Sequence, residues 1–394
     1  MHAFFLAPFL LGSLDASTGV DGAQEEQDKA WAVDVAAAEA ADVVVIAASD
    51  GTLRMVQART GGPCADRPEP LPHAGAWAVD VAPGGDVVAI LDRDGDVHLW
   101  RWRGDDGVKQ VAHVDASESG AGERGHRFGA FLAFSSTGQR LAVGVAEGGA
   151  VLLDLEGNEL ASVESLGGTW FDAPLAWSRN GARLAALTSD GPVVMNARNG
   201  QRLDATYAFE IESPRSIALD AKGERVSVGG CPVRVQTFDA ASGELLWTGE
   251  IDGESMDFPL LPSEKVSVAG IAYSPDDRRL ACTTAETSYG AVLDARTGDF
   301  LGVGQWHGGR MGEPRTITWV PGEDAFFHNY ASGGMPLARL EFARDGERWS
   351  VTEEAPERAA TPDAGLEGIG VHAVGYDVRA FDLVSGQKLW RLEL

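Results

Sequence analysis

Tyr273-Ser-Pro-Asp-Asp-Arg-Arg-Leu-Ala281 is the fullest copy of a pattern that runs through this chain of 394 residues. An aromatic residue, a short polar turn and an apolar run together spell a tight turn between two strands. Proline presets φ, aspartate and serine bond the nearby backbone, and the apolar run supplies the next strand. The order returns as Phe134-Ser-Ser-Thr-Gly-Gln-Arg-Leu-Ala142, Trp177-Ser-Arg-Asn-Gly-Ala-Arg-Leu-Ala185 and Leu219-Asp-Ala-Lys-Gly-Glu-Arg-Val-Ser227. A looser copy is Trp319-Val-Pro-Gly-Glu-Asp-Ala-Phe-Phe327. Self-similarity of this kind marks a repeat protein and overrides the domain count that length alone would suggest.

A second landmark follows each turn. It is an apolar residue, a polar residue and a glycine corner, ending at Gly157, Gly200, Gly243, Gly298 and Gly386, with weaker corners at Gly61, Gly104 and Gly346. Three of the steps between successive corners are 43 residues; two longer steps place insertions near residues 115–127 and 252–266. Between the landmarks the sequence alternates apolar and polar residues, as half-buried strands do. Asp50-Gly51, Asp94-Gly95 and Asp190-Gly191 fall where a hairpin is needed. Each unit therefore reads strand, turn, strand, hairpin, strand, corner, strand. Inner strands are expected to start near Trp31, Trp77, Gly129, Phe171, Ser216, Ala269, Thr316 and Arg358. A single unit cannot bury both faces of its sheet, whereas a closed ring of units can.

At these residues the chain resembles the WD-repeat and quinoprotein-like β-propeller superfamily. The turn at Tyr273 is similar to the first turn of WD-type and TolB-type blades. Phe238-Asp-Ala-Ala-Ser-Gly-Glu-Leu-Leu-Trp247 and Phe381-Asp-Leu-Val-Ser-Gly-Gln-Lys-Leu-Trp390 are similar to the last two strands of a quinoprotein-type blade. The resemblance spans residues 31–394. It implies an all-β propeller of four-stranded blades, eight favoured, or seven if the residues after Ser350 only complete an earlier blade. No unit carries the Gly-His and Trp-Asp pairs of true WD repeats, so their buried His-Asp network is expected to be missing, and no quinone or calcium ligand set is present. The resemblance thus bears on fold and not on activity.

Residues 1–30 are read as an extra strand or tail, with a signal segment as the alternative. Phe4–Leu14 is the only run that could serve as a signal core, but it lacks a preceding cation and is interrupted by Pro8. Cytoplasmic placement is expected, export being the alternative. Lys and Arg total 32 against 59 Asp and Glu, a formal charge of −27. That field repels phosphate backbones and anionic membranes, so neither nucleic acid nor membrane is expected as a partner. Cys64, Cys231 and Cys282 are far apart, without metal-ligand spacing, and read as buried free thiols. The chain is expected to be a monomer.

No motif for chemistry stands above its structural reading. Asp92-Arg-Asp-Gly-Asp96 looks like half of a calcium loop, but the twelfth position, which should be a bidentate glutamate, is Arg103. The stretch fits an ordinary Asp-Gly hairpin. The eight histidines show no paired spacing on a helix and no nucleophile elbow is present. Paired glycines at Gly308-Gly309 and Gly333-Gly334 lack the Lys-Ser/Thr of a phosphate loop and read as turns. Trp31, Trp77, Trp177 and Trp319 read as packing between blades. No catalytic residue, metal ligand or cofactor is assigned.

One pattern remains. A cation or histidine precedes the inner strand at Lys29, His73, Arg127, Arg215, Lys265, Arg315 and Arg358, with Trp170 in the fourth unit. In a propeller this junction reaches the face around the central channel. Arg127, Arg215, Arg315 and Arg358 are expected to surround one mouth. Trp170, Trp306, His307 and Arg310, in the loops entering units four and seven, should join them. A cationic mouth on an acidic chain would attract an acidic protein or peptide segment, or an anionic ligand. The reading is a non-catalytic binding or scaffolding propeller; the alternative is an enzyme or small-anion binder using the same mouth.

Overall fold

The computed structural model describes residues 32–38, 41–64, 71–72, 76–92, 95–101, 108–113, 130–145, 149–163, 166, 175–188, 190–251, 266–284, 289–305, 314–319, 325–330, 338–341, 350–352, 369–374, 377–382 and 388–393. Residues 1–30 lie outside this set, so the reading of that segment does too. Every element of the described residues is a strand. The strands form eight antiparallel sheets, six of four strands and two of three, each built from strands consecutive in sequence. Inner strands are Ala32–Ala38, Ala76–Val81, Ala130–Phe134, Leu175–Trp177, Ser213–Leu219, Val268–Tyr273 and Pro314–Trp319. The last sheet shows Ile369–Val374, Asp377–Asp382 and Lys388–Glu393. By the repeat these are its second to fourth strands; the inner strand expected to start near Arg358 lies outside the described set. The fourth sheet, of Leu175–Trp177, Arg183–Thr188 and Gly191–Asn196, is also three-stranded. Residues 203–211 take the outer place there, linked to Val194 by one backbone bond from Leu203 N at 2.8 Å.

The turn motif does what its chemistry predicts. Phe134, Trp177, Leu219, Tyr273 and Trp319 each end an inner strand, and the second strand resumes at Arg140, Arg183, Arg225, Arg279 and Ala325, the same distance on. Ser135, Ser178 and Ser274 are buried. Their hydroxyls accept the backbone N–H of Arg140, Arg183 and Arg279 at 3.2, 2.9 and 3.0 Å. Gly51, Gly95 and Gly191 have φ of 79°, 86° and 113°, the left-handed region a short hairpin requires.

The sheets bury their faces against one another. Ala89 and Leu91 of the second sheet share a cluster with Leu141 and Val143 of the third, and Leu280 of the sixth packs with Val235 of the fifth. Ala142 packs with Leu184, Val228 with Leu187, and Ala281 with Trp319. Val44, Ile46 and Ala58 of the first sheet pack with Val378, Ala380 and Trp390 of the last. The first and last described sheets therefore meet.

Aromatic side chains latch the seams. The indole N–H of Trp247 donates to the Ala295 carbonyl of the next sheet at 3.2 Å, and that of Trp390 to Ala58 at 2.6 Å. Both acceptors occupy the third place of the glycine corner. Tyr207 reaches the equivalent Ala240 carbonyl with its hydroxyl at 3.0 Å. The corner glycines have φ of 67° at Gly61 and 78° at Gly298, and an added Cβ would lie 2.8 and 2.5 Å from the indole atoms of Trp390 and Trp247. Glycine is needed there twice over, for its backbone and for the aromatic seated on it. Trp177 and Trp319 latch in the opposite direction, to the Ala133 and Ala272 carbonyls of the preceding sheet at 3.0 and 2.9 Å. These two behave as the sequence implies. The side chain of Trp77, and all of Trp31, fall outside the described set. One expectation needs correcting: only Cys282 is buried, while Cys64 and Cys231 are half-buried. Cys231 ends a strand at a hairpin, where one side faces outward.

Candidate functional site: the mouth at the start of the inner strands

The inner strands begin at one end of the sheets and run to the turns at the other. At the mouth end five of them carry the same irregularity. The register slips between Ala32 and Asp34, Ala76 and Ala78, Pro214 and Ser216, Val268 and Gly270, and Pro314 and Thr316. The extra residues are Val33, Trp77, Arg215, Ala269 and Arg315. A bulge leaves the ladder and re-aims its side chain, so these are equivalent positions by construction. Arg215 and Arg315, singled out from sequence, thus stand at the same place two sheets apart.

Their surroundings refine the expectation. Arg215 is only 7% exposed, and its Nη1 donates to the Ser267 hydroxyl at 2.5 Å. Its neighbour Ser216 donates to the Val268 carbonyl at 3.2 Å. The Arg215 guanidinium therefore ties the fifth sheet to the start of the sixth rather than projecting into water. Of Arg315 the backbone position alone is described. Arg127, Arg358, Trp170, Trp306, His307 and Arg310 lie outside the described residues.

At the opposite end, turns of the fourth, fifth and sixth sheets are tied to one another. Asn180 N donates to the Ala221 carbonyl at 2.9 Å, and Ala221 N to Asp277 Oδ1 at 3.1 Å. Arg179 reaches past the fifth sheet to the sixth, donating to the Pro275 and Ser274 carbonyls at 2.6 and 2.8 Å. Arg225 lies 5.5 Å from the Tyr273 ring centroid, pairs with Asp220 at 3.1 Å and donates to the Ala295 carbonyl at 2.8 Å. Arg179 was not legible as a strut in the sequence, since a cation in a polar turn reads as solvated.

The shifted titrating groups are held in their ordinary forms. Desolvation raises the Tyr273 hydroxyl to about 12, against the bond it shares with Ser227 at 2.6 Å. Tyr207 is raised to about 12, also chiefly by desolvation, and burial pushes the Cys282 thiol up. Backbone and side-chain bonds from Ser242 hold the Asp239 carboxyl below its usual range. A protonated thiol, protonated phenols and an ionised turn carboxylate serve as structural groups.

A second cluster stands at the mouth end of the second sheet. Asp92 ends the strand Val87–Asp92, opposite Ala76 at the start of the inner strand. It is 4% exposed, accepts the Asp96 N–H at Oδ1 (2.9 Å) and meets His98 Nε2 at Oδ2 (2.8 Å). The sequence showed the hairpin here. What it left unread was His98, two residues after Asp96 on the same strand and so on the same face.

No family model matches the chain, and no curated protein matches it in sequence. Solved structures do. Hsv2 of Kluyveromyces marxianus aligns with a TM-score of 0.55 at 12% identity, over 82% of this chain and 97% of that one. Kluyveromyces lactis Hsv2 aligns at 0.53 and 10%, with the same coverage. The form of KlHsv2 whose loop 6CD is replaced by a Gly-Ser linker aligns at 0.56 and 12%. The likeness extends to 1761 solved chains, a breadth that attaches it to a fold and to no single activity. Sheets consecutive in sequence, aromatic side chains latched across the seams and the likeness to solved propellers lead to one conclusion: this chain has the β-propeller fold.

Proposed function

We propose that residues 31–394 form one closed ring of eight blades, and that the ring is a non-catalytic binding or scaffolding propeller. It engages a protein or peptide at its mouth end. The eight-blade count is supported by the eight sheets and by Trp390, which sits on Gly61 of the first blade as Trp247 sits on Gly298 of the next blade.

One observation carries the binding reading: the two ends of the blades connect differently. At the turn end the inner strands ending at Val81, Phe134, Trp177, Leu219, Tyr273 and Trp319 are all followed by a second strand six residues on. At the mouth end the connections vary, from Pro72 to Ala76, from His113 to Ala130, from Val163 to Leu175, from Glu250 to Val268 and from Gln305 to Pro314. The longest and most varied connections lie at the mouth end, while at the turn end all but Val56 to Leu71 and Glu341 to Ser350 resume five to seven residues on. The more variable face of a repeat protein is where a partner is read. The cations before the inner strands lie on those variable connections or beside them. On a chain of net −27 they favour an acidic partner segment.

The test is affinity capture from cell extract, with partners identified by mass spectrometry, using the native chain and two charge reversals. Arg315→Glu alters the mouth end. Arg296→Glu alters an exposed residue at the opposite end. The captured partner should be lost with the first and retained with the second. Capture that ignores Arg315→Glu, or that needs Arg296, would remove the mouth from the account.

A further inference from the structure

Asp92, Asp96 and His98 place three metal-binding side chains at one hairpin. We propose that they form a site for a zinc-type divalent cation. A carboxylate oxygen of Asp92, one of Asp96 and a ring nitrogen of His98 all lie within 4.8 Å of one another. Tetrahedral ligands at roughly 2.0–2.2 Å from a common zinc stand about 3.3–3.6 Å apart, so binding would draw these three side chains together by about 1 Å. The arrangement comes from strand geometry: Asp96 and His98 share a face of Asp96–Arg101, and Asp92 ends the strand paired with it.

Two further features bear on the choice of ion. Calcium takes oxygen ligands and needs more of them, which is why the stretch fails as a calcium loop. An imidazole nitrogen with two carboxylates suits zinc and its transition-metal neighbours instead. The Asp92 side chain, 6% exposed, is already aimed at His98 Nε2. The ion would replace that hydrogen bond, with the ring proton moving to Nδ1 and both Asp92 and His98 binding metal. Three protein ligands leave at least one coordination position for water or for a donor from a partner. Because Asp92 pairs with Ala76, that position would lie at the mouth end, beside the proposed partner surface. The metal site does not depend on that surface.

Isothermal titration of the full chain with zinc chloride, and separately with calcium chloride, tests the proposal. The native chain should bind one zinc ion and no calcium. His98→Gln and Asp96→Asn should each weaken zinc binding at least tenfold, while His372→Gln leaves it unchanged. Melting curves without metal check that each variant folds. X-ray absorption on the zinc-loaded native chain provides a reading independent of any variant: nitrogen and oxygen at about 2.0–2.2 Å. No zinc bound, zinc bound equally by His98→Gln or Asp96→Asn, or sulfur in the coordination shell would overturn it.

Discussion

Single side chains carry the seams of this ring, and they make sharp predictions. Trp247 is 7% exposed and Trp390 8%, each seated on a corner glycine of the next blade. Trp247→Ala removes a buried aromatic and leaves a gap, and should cost about 3–5 kcal/mol in urea unfolding. Trp247→Phe keeps much of the packing but loses the N–H to the Ala295 carbonyl, so it should cost less. A loss under about 1 kcal/mol for the alanine variant would mean that the indole is not part of the seam. Asp239 predicts a pH dependence. Its folded carboxyl is held below the unfolded value of about 3.9, so its contribution is present above that value and fades as pH falls through the folded one. The stability gap between the native chain and Asp239→Ala, measured by urea unfolding, should therefore be constant near neutral pH and narrow as pH falls below about 3.9. A gap that does not narrow there would contradict this. Little in the chain's order warned of Arg215's role. A cation at the start of a strand reads as exposed, yet the bulge turns its guanidinium onto Ser267 of the next blade.

At the scale of the strand and the turn, the chain was far more legible. Ser274-Pro-Asp-Asp and its copies state their turn through local chemistry, which does not depend on the rest of the molecule. The glycine corners at Gly243 and Gly298 are legible for the same reason. What the repeat could not show was the outer edge of the fourth blade. There Tyr207, seven residues after Gly200, reaches the acceptor that Trp247 and Trp390 reach from four residues after their corners. The choice depends on packing against the fifth blade, where Tyr207 meets Phe238 edge-on at 5.6 Å. The long connection between Glu250 and Val268 belongs to the mouth end, and its two flanking strands are held by their own ladders. Replacing residues 252–265 with a short Gly-Ser linker should leave the melting temperature within a few degrees, since surface insertions cost little to exchange. It should abolish partner capture. A linker variant that melts far below the native chain would show that the segment belongs to the scaffold; one that captures as well as native would show that it does not belong to the binding surface.

At the scale of the whole molecule, stability is expected to rest on the proposed closure. An open array would leave Val44, Ile46 and Ala58 of the first blade facing water, although each is fully buried in the ring. Ending the chain after Thr352 removes the three strands that cover them. That truncation should abolish the single cooperative unfolding transition and drive association through the exposed face. A truncated chain that stays monomeric and unfolds as cooperatively as the native one would weaken the argument for closure. Closure also explains why one end can vary: with seams latched by Trp247, Trp390 and Tyr207, and turns laced through Arg179 and Asp277, the connections at the mouth are relieved of holding the ring. The most direct test is a crystal structure of the full chain. Eight blades in one ring, with the Trp390 indole on Gly61 and its N–H on the Ala58 carbonyl, is the predicted result. Seven blades, or a C-terminal strand that lies away from Gly61, would contradict the account.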